Sequence, residues 1–404
     1  MRVPTRHRRA CLLRRHMAVS WFPGSRTTRS PSRIARCTHR SGGWSATSPV
    51  GCRRGLTRQD AAVATHENEL TEPVDLCTPD GDRVNPDALG WSRRPLHRAN
   101  LQGRFGVNKR WDYWAVLAGD LLVSSVYADV DHLGLADVWW HDLSTGATGG
   151  GGIVTVGNED FDLPERPGTA PLHVARDGVE IAYVDDDHGT RLTASWTEPD
   201  GRPGRLDVHV ALPPGHESLN VVIPWSEEVF NFTSKHQARP AAGELVVGDE
   251  RWQIGDEAGD AWGVLDVGRG RWPAEIAWNW GGGAGRVGEH VLGLQFGAKW
   301  TEGSGYTENG FILDGRLTKL GNELDWHYDW DAPMEPWRIV DPGGQLDVTL
   351  HPRYDKHSTL PGRDKGSETH QVFGTFSGRV RTDDGVELEF DGVQGFAEEA
   401  RQEW

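Results

Sequence analysis

The stretch Arg379-Val-Arg-Thr-Asp-Asp-Gly-Val-Glu-Leu-Glu-Phe390 carries the pattern that decides the fold. On each side of Asp384-Gly385, apolar and charged residues alternate, as they do on a strand with one buried and one solvated face. The Asp-Gly dipeptide tolerates positive φ angles and therefore suits the tight turn of a hairpin. The stretch predicts two antiparallel strands joined by a short turn.

The same pattern recurs along the chain from about Leu96 onward. Four apolar residues alternate with other residues after the Pro-Asp-Gly turn at 199–201 and predict one half-buried strand: Leu206, Val208, Val210 and Leu212. Further hairpins are predicted around Asp187-His188-Gly189, Gly248-Asp249 and Asp314-Gly315. No segment keeps helical spacing for more than about two turns. We therefore expect an all-β protein built from antiparallel strands.

The strand-rich part of the chain is long, and it is interrupted once. A span of about 300 residues is too large for one small barrel, and a segment with several Pro and Gly residues at 213–245 divides it near the middle. We interpret the chain as a disordered tail at 1–66 followed by two β halves at 67–225 and 226–404. Each half is expected to be a barrel or a sandwich.

The N-terminal tail differs from the rest in charge. Residues 1–62 contain fourteen Arg, no Lys and the single acid Asp60, whereas residues 63–404 carry 29 Lys and Arg against 58 Asp and Glu. The tail has no apolar periodicity and cannot bury enough surface to fold alone. Its composition resembles an organellar transit peptide, but the Arg, Gly, Asp and Ala bias of the whole chain is typical of a high-GC bacterial genome. We favour a start codon assigned too early, with translation beginning near Val63, over a genuine disordered arm.

Charge and cysteine content exclude several partners and compartments. The net charge is −16, and the acidic surface after the tail repels nucleic-acid phosphates and anionic lipid headgroups. The sequence has no secretory signal core and no apolar run long enough to span a membrane. Cys77 is the only cysteine outside the tail, so no disulfide can form within the folded part. We expect a cytoplasmic bacterial protein, and its oligomeric state stays open.

The usual catalytic signatures are missing from the sequence. It contains no Gly-x-Ser-x-Gly, no Gly-x-x-x-x-Gly-Lys-Ser/Thr, no His-Glu-x-x-His and no Cys-x-x-Cys. The Gly-rich segments 149–152 and 281–283 lack the Lys and the helix of a phosphate loop, so we interpret both as flexible turns. We expect no metal and no cofactor, because four histidines stand alone without ligand spacing: His236, His290, His327 and His370.

Nineteen Trp stand out against six Tyr. Two aromatic sets have a spacing of two and would each project from one face of a strand: Trp278 with Trp280, and Trp326 with Tyr328 and Trp330. Such an aromatic wall can stack on a sugar, stabilise a carbocation by cation–π contact, or fill a core. The candidate substrate contacts of this type are Trp111, Trp114, Trp278, Trp280 and Trp300.

Charged residues near these aromatic segments supply the other candidates. Cations there could hold an anionic or carbonyl ligand, or pair with surface acids: Lys109, Arg110, Lys235, Arg239, Arg269 and Lys299. A carboxyl group beside Trp would be desolvated and have its pKa raised, which suits acid–base work. Three segments qualify, although solvated surface acids are the alternative for each: Asp266, Glu308-Asn309 and Glu398-Glu399. We select Asp266 and Glu308 as catalytic, and Asn309 as a substrate contact.

Several short motifs in the sequence are specific when they are taken together. In the first part of the chain they are Glu72-Pro-Val-Asp-Leu-Cys77, Gly90-Trp-Ser-Arg-Arg-Pro-Leu96, Asn108-Lys-Arg-Trp-Asp-Tyr-Trp114, Ile223-Pro-Trp225, Thr233-Ser-Lys235 and Arg239-Pro240. In the second part they are Trp262-Gly-Val-Leu-Asp266-Val-Gly-Arg-Gly270, Trp278-Asn-Trp-Gly281, Lys299-Trp300-Thr301, Thr307-Glu-Asn-Gly310 and Met334-Glu-Pro-Trp337. From about Thr71 to Trp404 the chain thereby resembles an uncharacterised bacterial family, the domain of unknown function 2804.

This resemblance implies a fold that begins near residue 71, but no reaction, because the family has none assigned. The two-part β architecture is also similar to the paired lipocalin-like barrels of hydroxyneurosporene synthase and tocopherol cyclase relatives. That similarity implies two lipocalin-like halves, and it is an analogy of fold alone.

The first of three functional hypotheses is an enzyme that acts on an apolar isoprenoid or lipid-like small molecule. A buried acid, Asp266 or Glu308, would protonate an alkene, as in a hydratase or a cyclase. The resulting cation would be shielded by Trp278, Trp280 and Trp300.

Two other hypotheses remain open. The chain could be a non-catalytic lipid- or pigment-binding protein in which Lys235 and Arg239 hold a carboxylate. It could instead be a carbohydrate-active enzyme, with two carboxylates about 5–10 Å apart across a Trp-lined cleft.

Overall fold

The computed structural model describes residues 66–256, 259–360 and 366–403. Within these ranges the backbone forms twenty-four β-strands, one short 3-10 turn and no α-helix, so the all-β prediction is confirmed. Among these residues, no helix has the length and apolarity that a membrane crossing requires. The predictions made for the tail up to residue 65 lie outside the described ranges.

The first fifteen strands precede residue 272. They are β1 (Val74–Asp75), β2 (Trp91–Ser92), β3 (His97–Arg98), β4 (Asn108–Ala118), β5 (Leu121–Asp129), β6 (Gly134–Asp142), β7 (Thr148–Val154), β8 (Leu172–Arg176), β9 (Val179–Asp186), β10 (Gly189–Thr197), β11 (Pro203–Ala211), β12 (Leu219–Pro224), β13 (Phe230–Val247), β14 (Glu250–Ile254) and β15 (Trp262–Arg271). The 3-10 turn, Pro86–Ala88, lies between β1 and β2.

Nine strands follow. They are β16 (Glu275–Val287), β17 (His290–Ala298), β18 (Asn309–Leu313), β19 (Arg316–Leu320), β20 (Asp325–His327), β21 (Trp337–Val340), β22 (Leu346–Leu360), β23 (Ser367–Arg381) and β24 (Glu387–Glu403).

The first sheet is a nearly closed barrel. Its strands run in the order β7-β6-β5-β4-β15-β13-β11-β10-β9-β8, with β2, β12 and β14 paired beside this path. The sheet twists until β7 approaches β9 and β10. Its interior is filled by apolar side chains, among them Trp114, Trp140 and Trp196. Strands β1 and β3 form a separate parallel pair.

The second sheet forms a half-barrel. Its order is β19-β18-β17-β16-β24-β23-β22-β21-β20, and all its pairs are antiparallel. Phe296, Trp337 and Phe376 belong to the apolar cluster that fills it. The two lipocalin-like halves expected from the sequence are therefore one nearly closed barrel and one half-barrel.

Polar side chains cross the space between the two sheets, which we call the seam. Nε2 of Gln237 donates to Oε1 of Gln295 at 2.9 Å, and Nζ of Lys356 donates to the hydroxyl of Ser124 at 2.9 Å. Strand β13 contributes most to the seam, because it contacts both β16 and β17. Polar groups are thus buried where the two halves meet.

The predicted hairpins are confirmed. The turns near residues 187–189, 248–249, 314–315 and 384–385 join β9 to β10, β13 to β14, β18 to β19 and β23 to β24, and each pair is antiparallel. The strand predicted at 206–212 is β11, in which Leu206, Val208 and Val210 are buried. Leu212 was wrongly included: it lies beyond Ala211, where the chain leaves the sheet, and is 40% exposed.

The segment predicted as a break in the strand pattern contains strands. The segment 213–245 contains β12 and most of β13, which passes through Pro240 by means of a bulge between His236 and Arg239. Ala238 takes a φ of 57° there. The first sheet therefore uses strands from both sides of the predicted 225/226 boundary, and the change of sheet falls between Arg271 and Glu275. The division into halves at 225/226 stays a prediction.

The Gly-rich segments 149–152 and 281–283 belong to β7 and β16, so their interpretation as turns is wrong. Their glycines make room for large side chains on neighbouring elements. A Cβ on Gly149 would lie 2.2 Å from the Glu198 carboxylate, and one on Gly282 would lie 2.9 Å from the Gln237 amide. Close packing, not turn geometry, requires glycine here.

Gly204 offers a test of the barrel packing. It lies opposite Trp196 in the β10–β11 ladder, and a Cβ on it would lie 2.1 Å from the buried indole. We expect Gly204→Ala to lower the unfolding free energy by about 1–3 kcal/mol, because the indole must leave its rotamer or the strands must separate. Urea unfolding measures this. The control is Gly285→Ala, whose Cβ would meet its nearest atom at 3.3 Å; an equal loss in both variants would contradict the packing account.

Candidate functional site

The candidate site lies in the seam, and Lys235 on β13 is at its centre. The ladder through β13, β15 and β4 places Lys235 opposite Asp266, and Asp266 opposite Tyr113. Residues opposite each other project from one face of a sheet, so these three form a first row. Nζ of Lys235 is 2.8 Å from Oδ1 of Asp266 and 3.1 Å from Oε2 of Glu308. Two carboxylates therefore surround a buried ammonium group.

A second row lies on the facing sheet. The ladder through β16, β24 and β23 places Trp280 opposite Glu398, and Glu398 opposite Gln371. Nζ of Lys235 is 4.7 Å from the centroid of the Trp280 ring. The hydroxyl of Tyr113 donates to Oε1 of Gln371 at 3.2 Å. The two rows thus touch at both ends across the seam.

The three carboxylates of the site share one type of partner, an indole N–H. The bonds run from Trp111 to Oδ2 of Asp266 at 3.2 Å, from Trp278 to Oε1 of Glu398 at 2.7 Å, and from Trp300 to Oε1 of Glu308 at 2.6 Å. An indole donates one hydrogen bond and carries no charge. All three indoles pack around Trp272, at centroid distances of 5.2, 5.6 and 5.8 Å. The abundance of Trp here serves the carboxylates as well as the core.

Burial sets the protonation of the two glutamates. Glu308 is 0% and Glu398 7% exposed. Burial raises the pKa of Glu308 to about 7, although the charge of Lys235 opposes this. Burial likewise raises the pKa of Glu398 to about 7, against the hydrogen bond from Trp278. Burial alone would lower the pKa of Lys235. The negative charges of Asp266 and Glu308 outweigh burial, so the pKa of Lys235 is raised. Below about pH 7 the site therefore holds two carboxylic acids beside a charged amine.

Glycine at position 297 allows the Glu308 carboxylate to fit. A Cβ there would lie 2.1 Å from Oε1 of Glu308. The neighbouring Asn309 accepts a hydrogen bond from the backbone N–H of Gly297 at 2.7 Å and donates to the carbonyl of Asn322 at 3.0 Å. These two hydrogen bonds of the Asn309 side chain thereby fix the backbone next to Glu308.

The structure brings together most of the predicted aromatic and acidic residues. Seven candidates lie in or against the two rows: Trp111, Lys235, Asp266, Trp278, Trp280, Trp300 and Glu308. Their catalytic and binding roles stay predictions.

Five other candidates lie away from the rows, and three of them make polar contacts with other residues. Arg269 donates to Asp112 at 2.6 Å and to the carbonyl of Trp111 at 2.7 Å. Arg110 lies 3.4 Å from Asp129. Lys109, on the same strand, is 1% exposed. Lys299 binds Glu399 at 2.7 Å and the Tyr328 hydroxyl at 2.8 Å, and Trp114 belongs to the barrel core.

Arg239 does not join Lys235 at a shared ligand. Its guanidinium donates to the carbonyls of Val210 and Ala211 at 2.9 and 3.0 Å, and it stacks over Trp114 at 5.0 Å. The bulge that separates it from Lys235 turns it towards the barrel. These contacts give no support to a carboxylate clamp formed by the two cations.

Sequence reasoning did not select four residues that line the seam. The segment Glu398-Glu399 was one of three acidic candidates, but Asp266 and Glu308 were selected from the other two, and Tyr113 entered only as part of an aromatic motif. Gln371 and Lys356 carried no signal except that Lys356 is one of six lysines. Nζ of Lys356 lies 4.3 Å from the Trp139 ring, and burial lowers its pKa. Only the pairing register of the strands shows that these four residues face the seam, and this register cannot be seen in the sequence.

Two surface depressions lie apart from the seam. One is lined by Arg191, Asp207, Arg205 and Glu244 on the outer face of the barrel, and these side chains form exposed ion pairs with one another. The other is lined by residues around Cys77. The seam, with its buried titratable groups, is the stronger candidate for chemistry.

Comparison with known proteins places the chain in a family. The model of the domain of unknown function 2804 matches residues 67–404, so the chain belongs to that family, as the motifs predicted. The comparison with curated proteins found no match. Solved structures with a similar chain course include CghA with Sch210972, at 13% identity and a TM-score of 0.38, and kievitone hydratase from Nectria haematococca, at 12% identity and a TM-score of 0.39. Each likeness covers 74% of this chain and 89% of the other.

The central ion pair can be tested by removing its cation. We expect Lys235→Met to lower the unfolding free energy by about 3–5 kcal/mol, because Asp266 then lacks its buried partner. The double variant with Asp266→Asn should recover much of this loss. Lys299→Met is the control, since Lys299 is one-third exposed and its partner Glu399 keeps Arg401. Equal losses for both lysine variants in urea unfolding would contradict a central role for Lys235.

The raised pKa of Glu398 predicts a pH-dependent stability. The folded chain keeps a proton that the unfolded chain loses above pH 4.5, so the parent loses stability as pH rises towards 7. Glu398→Gln cannot ionise, and we expect it to gain of the order of 2 kcal/mol relative to the parent between pH 5 and pH 8. Glu399→Gln is the control. Lys299, Tyr328 and Arg401 lower the pKa of Glu399 although its side chain is buried, so the stability difference between Glu399→Gln and the parent should stay constant over this range. Parallel stability curves for all three proteins would refute the raised pKa.

Proposed function

We propose that this member of the domain of unknown function 2804 family is an enzyme that protonates a carbon–carbon double bond of an apolar small molecule in the seam. The observation that carries the proposal is the pair of buried carboxyl groups, Glu308 and Glu398, whose pKa values burial raises to about 7. A general acid works best when its pKa is near the working pH. The indoles around these acids are suited to an apolar substrate and a cationic intermediate.

Glu398 is the proposed proton donor. Its Oε1 is held by the Trp278 indole, and it lies in the middle of the second row between Trp280 and Gln371. Glu308 is completely buried between the Trp300 indole and Lys235. Its proposed role is to position the Lys235 ammonium together with Asp266, and while Glu308 is protonated it leaves the Lys235–Asp266 ion pair neutral overall.

The proposed reaction balances with water as the only co-reactant. Glu398 gives its proton to one alkene carbon, the π electrons form the new C–H bond, and the other carbon becomes a cation. The carboxylate left on Glu398 and the π faces of Trp278 and Trp280 stabilise this cation. In hydration, water adds to the cation and its released proton returns to Glu398. In cyclisation, a second double bond attacks the cation, and a neighbouring C–H gives the proton back.

The pKa of the proposed proton donor, Glu398, determines the pH profile that we expect for the reaction. The active form is the protonated carboxyl, so kcat/KM should be constant at low pH and fall about tenfold per pH unit above about 7. Glu399→Gln should keep this profile, because Glu399 is bound by Lys299, Tyr328 and Arg401 outside the rows.

The experiment uses the full chain, a panel of acyclic isoprenoid alkenes and D2O as solvent. We expect mass spectrometry to detect a hydrated or cyclised product that carries one carbon-bound deuterium. Glu398→Gln should lower the rate by at least about 100-fold, while alkene binding persists and Glu399→Gln keeps most of the activity. Bound alkenes recovered unchanged and free of deuterium would identify a binding protein instead. Equal rates for the two variants would remove Glu398 from the mechanism.

A further inference from the structure

We propose that His357, Glu368 and His370 form a binding site for a divalent transition-metal ion, with Zn²⁺ as the expected occupant. The three residues lie on the β22–β23 hairpin. One imidazole nitrogen from each histidine and one oxygen of the glutamate all lie within 4.8 Å of one another. Sequence spacing did not reveal the group, because the hairpin register places His357 directly opposite His370.

The distances are close to those of a metal site. Nε2 of His357 lies 2.8 Å from Oε1 of Glu368, and Nε2 of His370 lies 3.9 Å from the same oxygen. Ligands at about 2.0–2.1 Å from a tetrahedral Zn²⁺ are about 3.3 Å apart, between these two values. The imidazoles are parallel, with centroids 4.2 Å apart, so metal binding needs a small tilt of each ring towards the ion.

A carboxylate already orients one of the ligands. Nδ1 of His370 lies 2.8 Å from Oδ2 of Asp355, which directs Nε2 towards Glu368. A hydrogen bond from the distal imidazole nitrogen to a carboxylate is the usual support of a metal-bound histidine. The ring of Trp330 packs perpendicular to the same imidazole, with the ring centroids 4.6 Å apart. The ring of His370 is therefore held in place before any ion binds.

The ligand set indicates the class of metal. Two imidazoles and one carboxylate suit Zn²⁺, and three protein ligands leave a position for water or an anion. The carboxylates of Glu368 and Asp355 supply negative charge, and the side chains of His357 and Glu368 are each 42% exposed, so an ion can enter from solvent. This site lies on the opposite face of β23 from Gln371, because neighbouring residues on a strand alternate in direction. It is independent of the proposed acid in the seam.

The test is a calorimetric titration of the full chain with ZnCl2 after removal of metals by a chelator. We expect the parent to bind one more equivalent of zinc than His357→Ala or Glu368→Gln. Asp355→Asn should keep this equivalent but weaken its affinity about 10–100-fold, as expected for a residue that orients a ligand. The unchanged circular dichroism of these variants would show that they fold.

The matched control is His173→Ala. His173 pairs with Glu180 at 3.0 Å and is similarly exposed, but this is a pair of one histidine and one carboxylate. The His173→Ala variant should bind as much zinc as the parent. Zinc that binds at any other position is common to all variants and cancels in the comparison. Equal stoichiometry and affinity in the parent, His357→Ala and Glu368→Gln would overturn the proposal.

Discussion

The buried charge of Lys235 constrains the structure around it. An ammonium group with little access to water is stable only when carboxylates lie close to it and their remaining oxygens are also satisfied. Asp266 meets this need from the neighbouring strand, and Glu308 meets it from the facing sheet. The seam between the barrel and the half-barrel therefore has a defined register.

The same constraint explains why tryptophans surround the carboxylates of the seam. Each carboxylate near Lys235 needs a donor, and a second Lys or Arg would add charge that the seam must also bury. An indole N–H satisfies an oxygen without charge, and its ring fills the apolar space. Trp111, Trp278 and Trp300 do this for three different acids. A neutral donor lowers the pKa of a carboxyl group less than a nearby cation does. Burial can therefore raise the pKa of Glu308 and Glu398.

Sequence patterns predicted the strands well and the site only in part. Turn dipeptides such as Asp384-Gly385 fix local pairing, so the hairpins could be derived. Glu398 and Glu399 have the same chemistry, yet one faces the seam with a raised pKa and the other binds Lys299 with a lowered pKa. Only the register of β24 against its neighbours separates them. The direction of Arg239 could not be derived for a similar reason, since one bulge turns it away from the side of the strand that carries Lys235.

The central claim is that burial in the seam keeps two glutamates protonated up to about pH 7, and carbon-13 NMR of the side-chain carboxyls tests it most directly. Full-length protein labelled at the glutamate δ carbon would be titrated from pH 4 to pH 9, with the Glu308→Gln and Glu398→Gln variants to assign the two signals. The account predicts that both signals move with midpoints near pH 7. Midpoints near the ordinary glutamate value of about 4.3 would contradict it.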